Sequence, residues 1–261
     1  MCKVITIANQ KGGVAKTTTA MNIGAALNQL GKKVLMVDFD PQGNLTHYCG
    51  LQKDSLLQQT IATAIKNTIA NEETDDRKLL WRTTEGLRII PANTYASSLE
   101  LEIASVDENP MLILARYLAH LRKNFDYIII DCGPSLGMLA VNALTAADSV
   151  LIPITPDVFA VEGLQELVST IRRIKTRYNP ALRIEGILFT KVIPRLRLTR
   201  QIQSDVKEIF GKSVPVFEDY IPHNTKLCES TGSGNSIFTY DPGNTAGAAY
   251  MKVAEVIVKN G

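Results

Sequence analysis

No apolar run in the 261 residues approaches the roughly 18 that a membrane-crossing helix needs. The apolar part of the N-terminus, Met1-Cys2-Lys3-Val4-Ile5-Thr6-Ile7-Ala8, is too short for a secretory signal and runs straight into polar Asn9-Gln10-Lys11. A cytoplasmic protein is therefore expected. Cysteine is scarce and dispersed: Cys2, Cys49, Cys132 and Cys228 form no C-x-x-C pair. That excludes a disulfide framework and a cysteine zinc site. There is no internal repeat, no low-complexity tract and no Gly/Pro/Ser-rich linker, so residues 1–261 are read as one domain. What remains is ordinary for a folded chain, with 45% hydrophobic and 21% charged residues. A chain of this length buries roughly three quarters of the surface it exposes when unfolded.

The net charge of +2 hides an asymmetry. Residues 172–212 hold 11 Lys and Arg against 3 Asp and Glu, leaving 17 basic and 23 acidic residues elsewhere. A segment this basic suits a polyanionic partner, and on charge alone a solvated basic face is the plainer reading.

Strand-like apolar runs alternate with stretches of helical period. Strands are expected at residues 4–8, 34–37, 125–130, 149–154 and 184–190, with a short one at 214–217. Helices are expected at 17–30, 110–122, 161–177, 199–210 and 246–258. The alternation predicts an α/β fold: a doubly wound, mostly parallel sheet with helices on both faces. Ligands of such sheets bind at the carboxyl ends of the strands, so the loops after Ala8, Val37, Ile130 and Thr190 should carry the chemistry. Residues 53–85 are the most polar stretch, and 51–104 reads as a helical and loop connection.

The first of those loops is Asn9-Gln10-Lys11-Gly12-Gly13-Val14-Ala15-Lys16-Thr17-Thr18, with a helix directly after it. Glycines let backbone N–H groups turn inward, and the helix N-terminus adds partial positive charge, so the segment is built as a phosphate cradle. Lys16 can reach β- and γ-phosphates, and the Thr17 hydroxyl can ligate Mg²⁺. The alternative is a plain glycine turn between strand and helix. The strict GxxxxGK[ST] pattern is absent, because position 10 is Gln and position 15 is Ala. The KGGxxKT form with its early Lys11 resembles the deviant Walker A loop of the ParA/MinD family of ATPases. The resemblance implies a P-loop fold, ATP bound by residues 11–18, and a Lys11 that crosses a dimer interface to the nucleotide of the other subunit. Ala15 stands where the family usually has glycine, a departure that places a methyl group beside the β-phosphate and that the loop is expected to tolerate because the other motif residues are intact.

The second strand ends in Asp38-Phe39-Asp40-Pro41-Gln42-Gly43, which places two carboxylates on one side of an extended chain. They can hold Mg²⁺-bound water and orient an attacking water. The run is similar to the family's switch I, which assigns Asp40 to the attacking water and Asp38 to the metal shell. The apolar strand ending in Asp131 has the Walker B form, in which Asp131 holds Mg²⁺ opposite Thr17. Gly133 departs from the proline more usual in switch II, and a looser switch is expected. Cys132 reads as a small hydrophobe under the site. By resemblance Pro222 and Asn224 contact adenine; without it they read as an ordinary turn.

Among ParA/MinD proteins the chain looks most like the partitioning ATPases. That implies a homodimer in the ATP state, binding to DNA without sequence preference, a nucleoid-associated location, and a ParB-like partner that stimulates hydrolysis. The DNA contacts would be Arg195, Arg197 and Arg200, with Lys191, Lys207 and Lys212 nearby. A second DNA-contacting arginine of the family falls on His223. The nucleotide loop follows directly on the N-terminus, so an operator-binding helix-turn-helix is not expected. A MinD-like membrane cycle would need a C-terminal amphipathic helix, whereas Lys252 and Lys259 are the basic residues of the last twelve. No membrane partner is expected. A capsule-type tyrosine kinase would need clustered tyrosines, and an iron-protein reductase would need cysteines for a cluster. The non-enzyme alternative is a nucleotide-binding protein with a weak or dead site.

Overall fold

The computed structural model describes residues 1–52 and 59–261; Lys53, which opens the polar stretch, and 54–58 lie outside the described residues. Its strands are β1 (Lys3–Ile7), β2 (Val34–Phe39), β3 (Trp81–Arg82), β4 (Arg88–Ile90), β5 (Tyr127–Cys132), β6 (Ser149–Ile154) and β7 (Arg183–Phe189). They form one sheet in the order β3-β4-β2-β5-β1-β6-β7, parallel throughout except for the β3–β4 edge pair. β1 therefore lies between β5 and β6, and the chain switches sides of the sheet there, which opens a crevice at the strand ends.

Strand residues alternate between two cores because successive side chains face opposite ways. Val4, Leu35, Val37, Ile128, Ile130, Val150, Ile152 and Phe189 face one side. Ile5, Ile7, Val34, Met36, Ile129, Leu151 and Leu188 face the other. The helices, in chain order, are α1 (Lys16–Gln29), α2 (Asn44–Tyr48), α3 (Ile61–Ala70), α4 (Asp76–Leu79), α5 (Leu99–Ala104) and α6 (Ile113–Leu121). They continue with α7 (Met138–Ala146), α8 (Ala160–Arg177), α9 (Arg197–Phe210), α10 (Thr225–Ser230), α11 (Ile237–Tyr240) and α12 (Thr245–Lys259). The first core takes α3 and α5 to α9; the second takes α1, α2 and α10 to α12. A doubly wound, mostly parallel sheet is thus what the chain forms.

Three local expectations need correction. Residues 214–217 form a single bridge, Val216 to Ile187, rather than a strand. Residues 51–104 carry two strands as well as helices. α7 has no counterpart in the sequence reading, because it is buried on nearly every side and so shows no apolar stripe. Its Asn142 accepts from Leu114 N (3.2 Å) and donates to Pro110 O (3.0 Å), tying α7 to the start of α6.

Candidate functional site

β1 delivers the chain into the loop at Asn9, whose side chain fixes both ends of the turn. Its Oδ1 accepts from Lys11 N (2.9 Å), and its Nδ2 donates to Pro153 O (2.8 Å) at the end of β6. The loop turns through left-handed Gly13 (φ 75°) and left-handed Ala15 (φ 64°), which caps α1. Lys16 Nζ reaches back across it to Lys11 O (2.9 Å). From β7, Thr190 Oγ1 donates to Val14 O (3.1 Å), and Lys191 Nζ donates to Gly13 O (2.7 Å).

Ala15 keeps the turn that glycine would make. An L-residue with this backbone carries about 1–2 kcal/mol of steric cost, and glycine avoids it while losing about 0.4–1 kcal/mol through its freer unfolded chain. Ala15→Gly is expected to raise stability by about 0.5–1 kcal/mol, read from the urea midpoint at unchanged slope.

The loop forms the floor of a cleft of about 570 Å³ lined by Gly12, Gly13, Ala15, Lys16, Thr17, Thr18, Asp40, Pro222 and Asn224 among others. That volume falls in the range of small-molecule sites. Val14 is buried beneath the loop.

Below Thr17 lie two carboxylates. Asp38 and Asp131 are register partners on β2 and β5, and both are fully buried. Among the described residues neither Asp131 oxygen makes a well-formed hydrogen bond, and the Thr17 hydroxyl is the donor beside it. Burial first, and then neighbouring Asp38, push its carboxyl well above the usual range, against the pull of Thr17 and Lys16. Burial likewise pushes Asp38 up to about 6, opposed by donors from the loop that follows β2. Those donors are Thr46 N (2.8 Å) and Thr46 Oγ1 (2.7 Å) on Oδ2, and Asp40 N (3.2 Å) on Oδ1. Asp38 thus ties residues 40–46 to the sheet. Thr46, which sequence reasoning missed, also accepts from Ala92 N (2.8 Å). Nothing in its residue type signals this; only its position eight residues after Asp38 does.

Lys16 is nine-tenths buried, and burial lowers its pKa while Asp131 and Asp40 raise it. Lys16 thus stands beside three carboxyl groups, and burial and mutual repulsion disfavour ionisation of Asp38 and Asp131. Orphaned carboxylate oxygens beside a threonine hydroxyl suit a hard divalent cation. The described residues hold no group of three or more His, Cys, Asp or Glu side chains placed to bind a metal unaided. A cation here would complete its shell with ligand oxygens and water. Gly133 packs against Asp40: a Cβ there would stand 3.3 Å from the Asp40 carboxylate carbon. The glycine therefore gives Asp40 its room.

Lys11 does not enter this cleft. Its Nζ pairs with Asp157 Oδ1 at 2.6 Å and lies 6.0 Å from the ring centroid of exposed Phe159. Burial favours a neutral Asp157, but the Lys11 and Thr155 contacts outweigh it and hold its carboxyl below the usual range.

A family model described as an AAA domain matches residues 2–184. The sporulation initiation inhibitor protein Soj of Bacillus subtilis is 40% identical over 262 residues, covering 100% of both chains. The chromosome partitioning protein ParA of Caulobacter vibrioides is 36% identical, covering 98% of this chain and 94% of its own. The chain belongs to the ParA/Soj family. A Mycobacterium smegmatis protein described as cobyrinic acid a,c-diamide synthase, solved with ADP and magnesium, superposes with a TM-score of 0.85. It is 33% identical and covers 100% of this chain and 95% of its own.

In this ParA/Soj-family chain Pro222 and Asn224 both line the cleft. Asn224 is also the cap of α10, its Oδ1 accepting from Leu227 N (3.0 Å). Tyr48 and Cys228, which the sequence did not single out, line the cleft as well. The three arginines of the basic segment lie elsewhere: Arg195, Arg197 and Arg200 are exposed at the start of α9. Thr199, Ile202, Val206 and Phe210 turn inward from that helix. None of the three arginines is ion-paired among the described residues.

Proposed function

We propose that this chain is a partitioning ATPase that binds Mg-ATP in the loop cleft and uses it to control a homodimer. The observation that carries the reading is the fully buried Asp131 carboxylate, without a well-formed hydrogen bond among the described residues, beside Thr17 and Lys16 of the loop. That floor has donors for phosphate above and carboxylate oxygens for a cation below. Relatives solved with ADP or an ATP analogue and magnesium support the same ligands.

In this reading the amides of residues 12–18 and Lys16 neutralise the phosphates. Thr17 and Asp131 hold the magnesium, which when bound neutralises charge on the phosphate oxygens. Asp38 keeps the 40–46 segment in register, and Asp40, with its carboxylate at the cleft, orients the water. Pro222 and Asn224 face the base. Lys11 leaves Asp157 and reaches the nucleotide of a second copy. The test is ATP turnover with and without DNA, alongside mass by light scattering in the ATP and ADP states. A monomer in both states, or no turnover with DNA present, overturns the reading.

The dimer places two copies of the α9 arginines on one duplex, which supports DNA binding without sequence preference and a nucleoid-associated, cytoplasmic protein. Arg197→Ala is expected to reduce the slope of log affinity against log salt by about 0.9 per lost phosphate contact, roughly 1.8 per dimer. Binding of the ATP state to random duplex at several salt concentrations checks it. A ParB-like protein is the partner expected to stimulate turnover. A membrane cycle is disfavoured because α12 is docked: Tyr250, Val253, Ala254 and Ile257 are buried, and Tyr250 OH meets Thr19 Oγ1 at 3.2 Å.

A further inference from the structure

We propose that the carboxyl end of α8 is a second surface for the phosphate backbone of duplex DNA, separate from the α9 arginines and open without nucleotide. It does not depend on the cleft or on a dimer.

From residue 167 to residue 184 the chain carries five Lys and Arg and no Asp or Glu. Four of the five, Arg172, Arg173, Lys175 and Arg177, fall in the last six residues of α8, and Arg183 opens β7. Ile171 and Ile174 turn into the core, which leaves all four helix cations in solvent, and Arg183 is exposed as well. None of the five is ion-paired among the described residues. Arg173 Nη2 donates to the Thr170 hydroxyl (2.9 Å), which leaves its charge unneutralised. Asp148 before β6 and Glu185 early in β7 are already taken, by Arg122 (3.0 Å) and Lys3 (3.0 Å).

β7 separates this patch from the α9 arginines. α8 ends before β7 starts, whereas Arg195, Arg197 and Arg200 come after β7 has ended. A strand of seven residues, at about 3.3 Å each, puts roughly 20 Å between them. α8 leaves the cleft end of the sheet after β6 and runs back for 18 residues, about 27 Å, so its last turn lies away from the nucleotide loop. α9 runs back the same way, but its Lys207 comes with Asp205 and Glu208, so the charge excess is centred on α8. Protein seated on one duplex through α9 can hold a second one here.

The main chain that carries the patch is fixed. Asn179 Nδ2 stands within 3.1 Å of Leu144 O and Thr145 O and 2.7 Å from Ala147 O, at the end of α7. Leu182 N donates to Asn179 O (3.0 Å), and Arg183 N donates to Asp148 O (3.1 Å).

Complementing the helix dipole is the competing role, and two cations in the last turn serve it. Five cations without an acid go beyond it, and Arg173 and Arg177, four apart on one face, repel each other. A polyanion relieves that repulsion. A duplex carries one charge per roughly 1.7 Å of its axis, so the last six residues of α8, about 9 Å, meet about five of them. A membrane surface fits less well, because Tyr178 is the one large exposed apolar side chain between residues 160 and 195.

The full chain without nucleotide is titrated with a labelled random-sequence duplex at several salt concentrations, and melting temperatures are read alongside. The variant with Arg172→Gln, Arg173→Gln and Arg177→Gln together is expected to lower the slope of log affinity against log salt by about 2.7, at about 0.9 for each lost contact. Arg197→Ala lowers it by at most about 0.9. Arg→Lys at the same three positions keeps the charges and the slope. Nucleotide-free wild type that binds no duplex at low salt overturns the proposal, as does an unchanged slope in the glutamine variant or a loss in the lysine variant as large. Binding to phosphatidylglycerol vesicles or polyglutamate that is as tight as to DNA, and equally lost in the glutamine variant, overturns it in favour of a membrane or an acidic peptide. These outcomes leave the ATP-state reading of α9 standing; wild type that binds no duplex with ATP either overturns both.

Discussion

Lys16→Ala is expected to weaken binding of Mg-ATP severely while leaving the fold intact. The lysine is nine-tenths buried, and in the ligand-free chain its one described hydrogen bond goes to the carbonyl of Lys11. Its removal opens a small space beside solvent rather than a cavity in either core. The functional loss is larger. Charge-assisted hydrogen bonds contribute about 1.5–3 kcal/mol each, and Lys16 is placed to make more than one to phosphate. It is also the lysine whose charge opposes the upward push on the Asp131 carboxyl. An affinity loss of at least about 100-fold is expected from these terms. Thermal unfolding checks it directly. Wild-type protein gains stability with excess Mg-ATP by mass action, and the rise in melting temperature of Lys16→Ala should be displaced to nucleotide concentrations at least about 100-fold higher. A rise at the same concentrations as wild type would remove Lys16 from the phosphate site.

Lys11→Ala should behave in the opposite way: nucleotide still binds, but the pair of subunits and most of the turnover are lost. The side chain lies outside its own cleft, on Asp157 and near Phe159. A lysine in that position adds little to ATP affinity within one chain. If it serves a second copy as an arginine finger serves a GTPase, its loss lowers the rate by about 10³–10⁵-fold, or roughly 4–7 kcal/mol. Light scattering with ATP should find a monomer under the conditions in which wild type is proposed to dimerise. Asp157→Ala is the control. It breaks the same ion pair and leaves Lys11 in place, so it should keep the ATP-dependent dimer. Loss of the dimer in Asp157→Ala as well would assign Lys11 to holding the turn after β6, and the cross-subunit role would fall.

The parts of this molecule that sequence made legible are those written in contiguous residues. The loop from Asn9 to Thr18 announces itself through glycine spacing and the Lys-Thr ending, and it folds as a turn between β1 and α1 through left-handed Gly13 and Ala15. The Asp131 strand is an unbroken apolar run, as a strand covered on both faces must be. α7 was illegible because burial on nearly every side erases periodicity. β3 and β4 are two and three residues long, too short for any alternation to show. The partners of the site residues were hidden for a different reason. Thr46 on Asp38, Asp157 on Lys11 and Lys191 on Gly13 join residues 8, 146 and 178 positions apart. Only the sheet order brings the last two pairs together. Asn224 was legible from its residue type as a turn and only by resemblance as a site residue; it caps α10 and lines the cleft.

The left-handed turns at Gly13 and Ala15 are held by hydrogen bonds of Asn9, Lys16 and Thr190 with the protein's own backbone. Anion-binding loops that are slack until occupied lose backbone entropy at the moment of capture, about 1–2 kcal/mol for each residue ordered. A loop tied in this way is expected to lose less. Nucleotide arrival then exchanges side-chain donors from loop carbonyls to phosphate with little movement of the main chain. Capture should accordingly be governed by diffusion into the crevice, and differences in affinity between nucleotides should show mainly in how long each one stays.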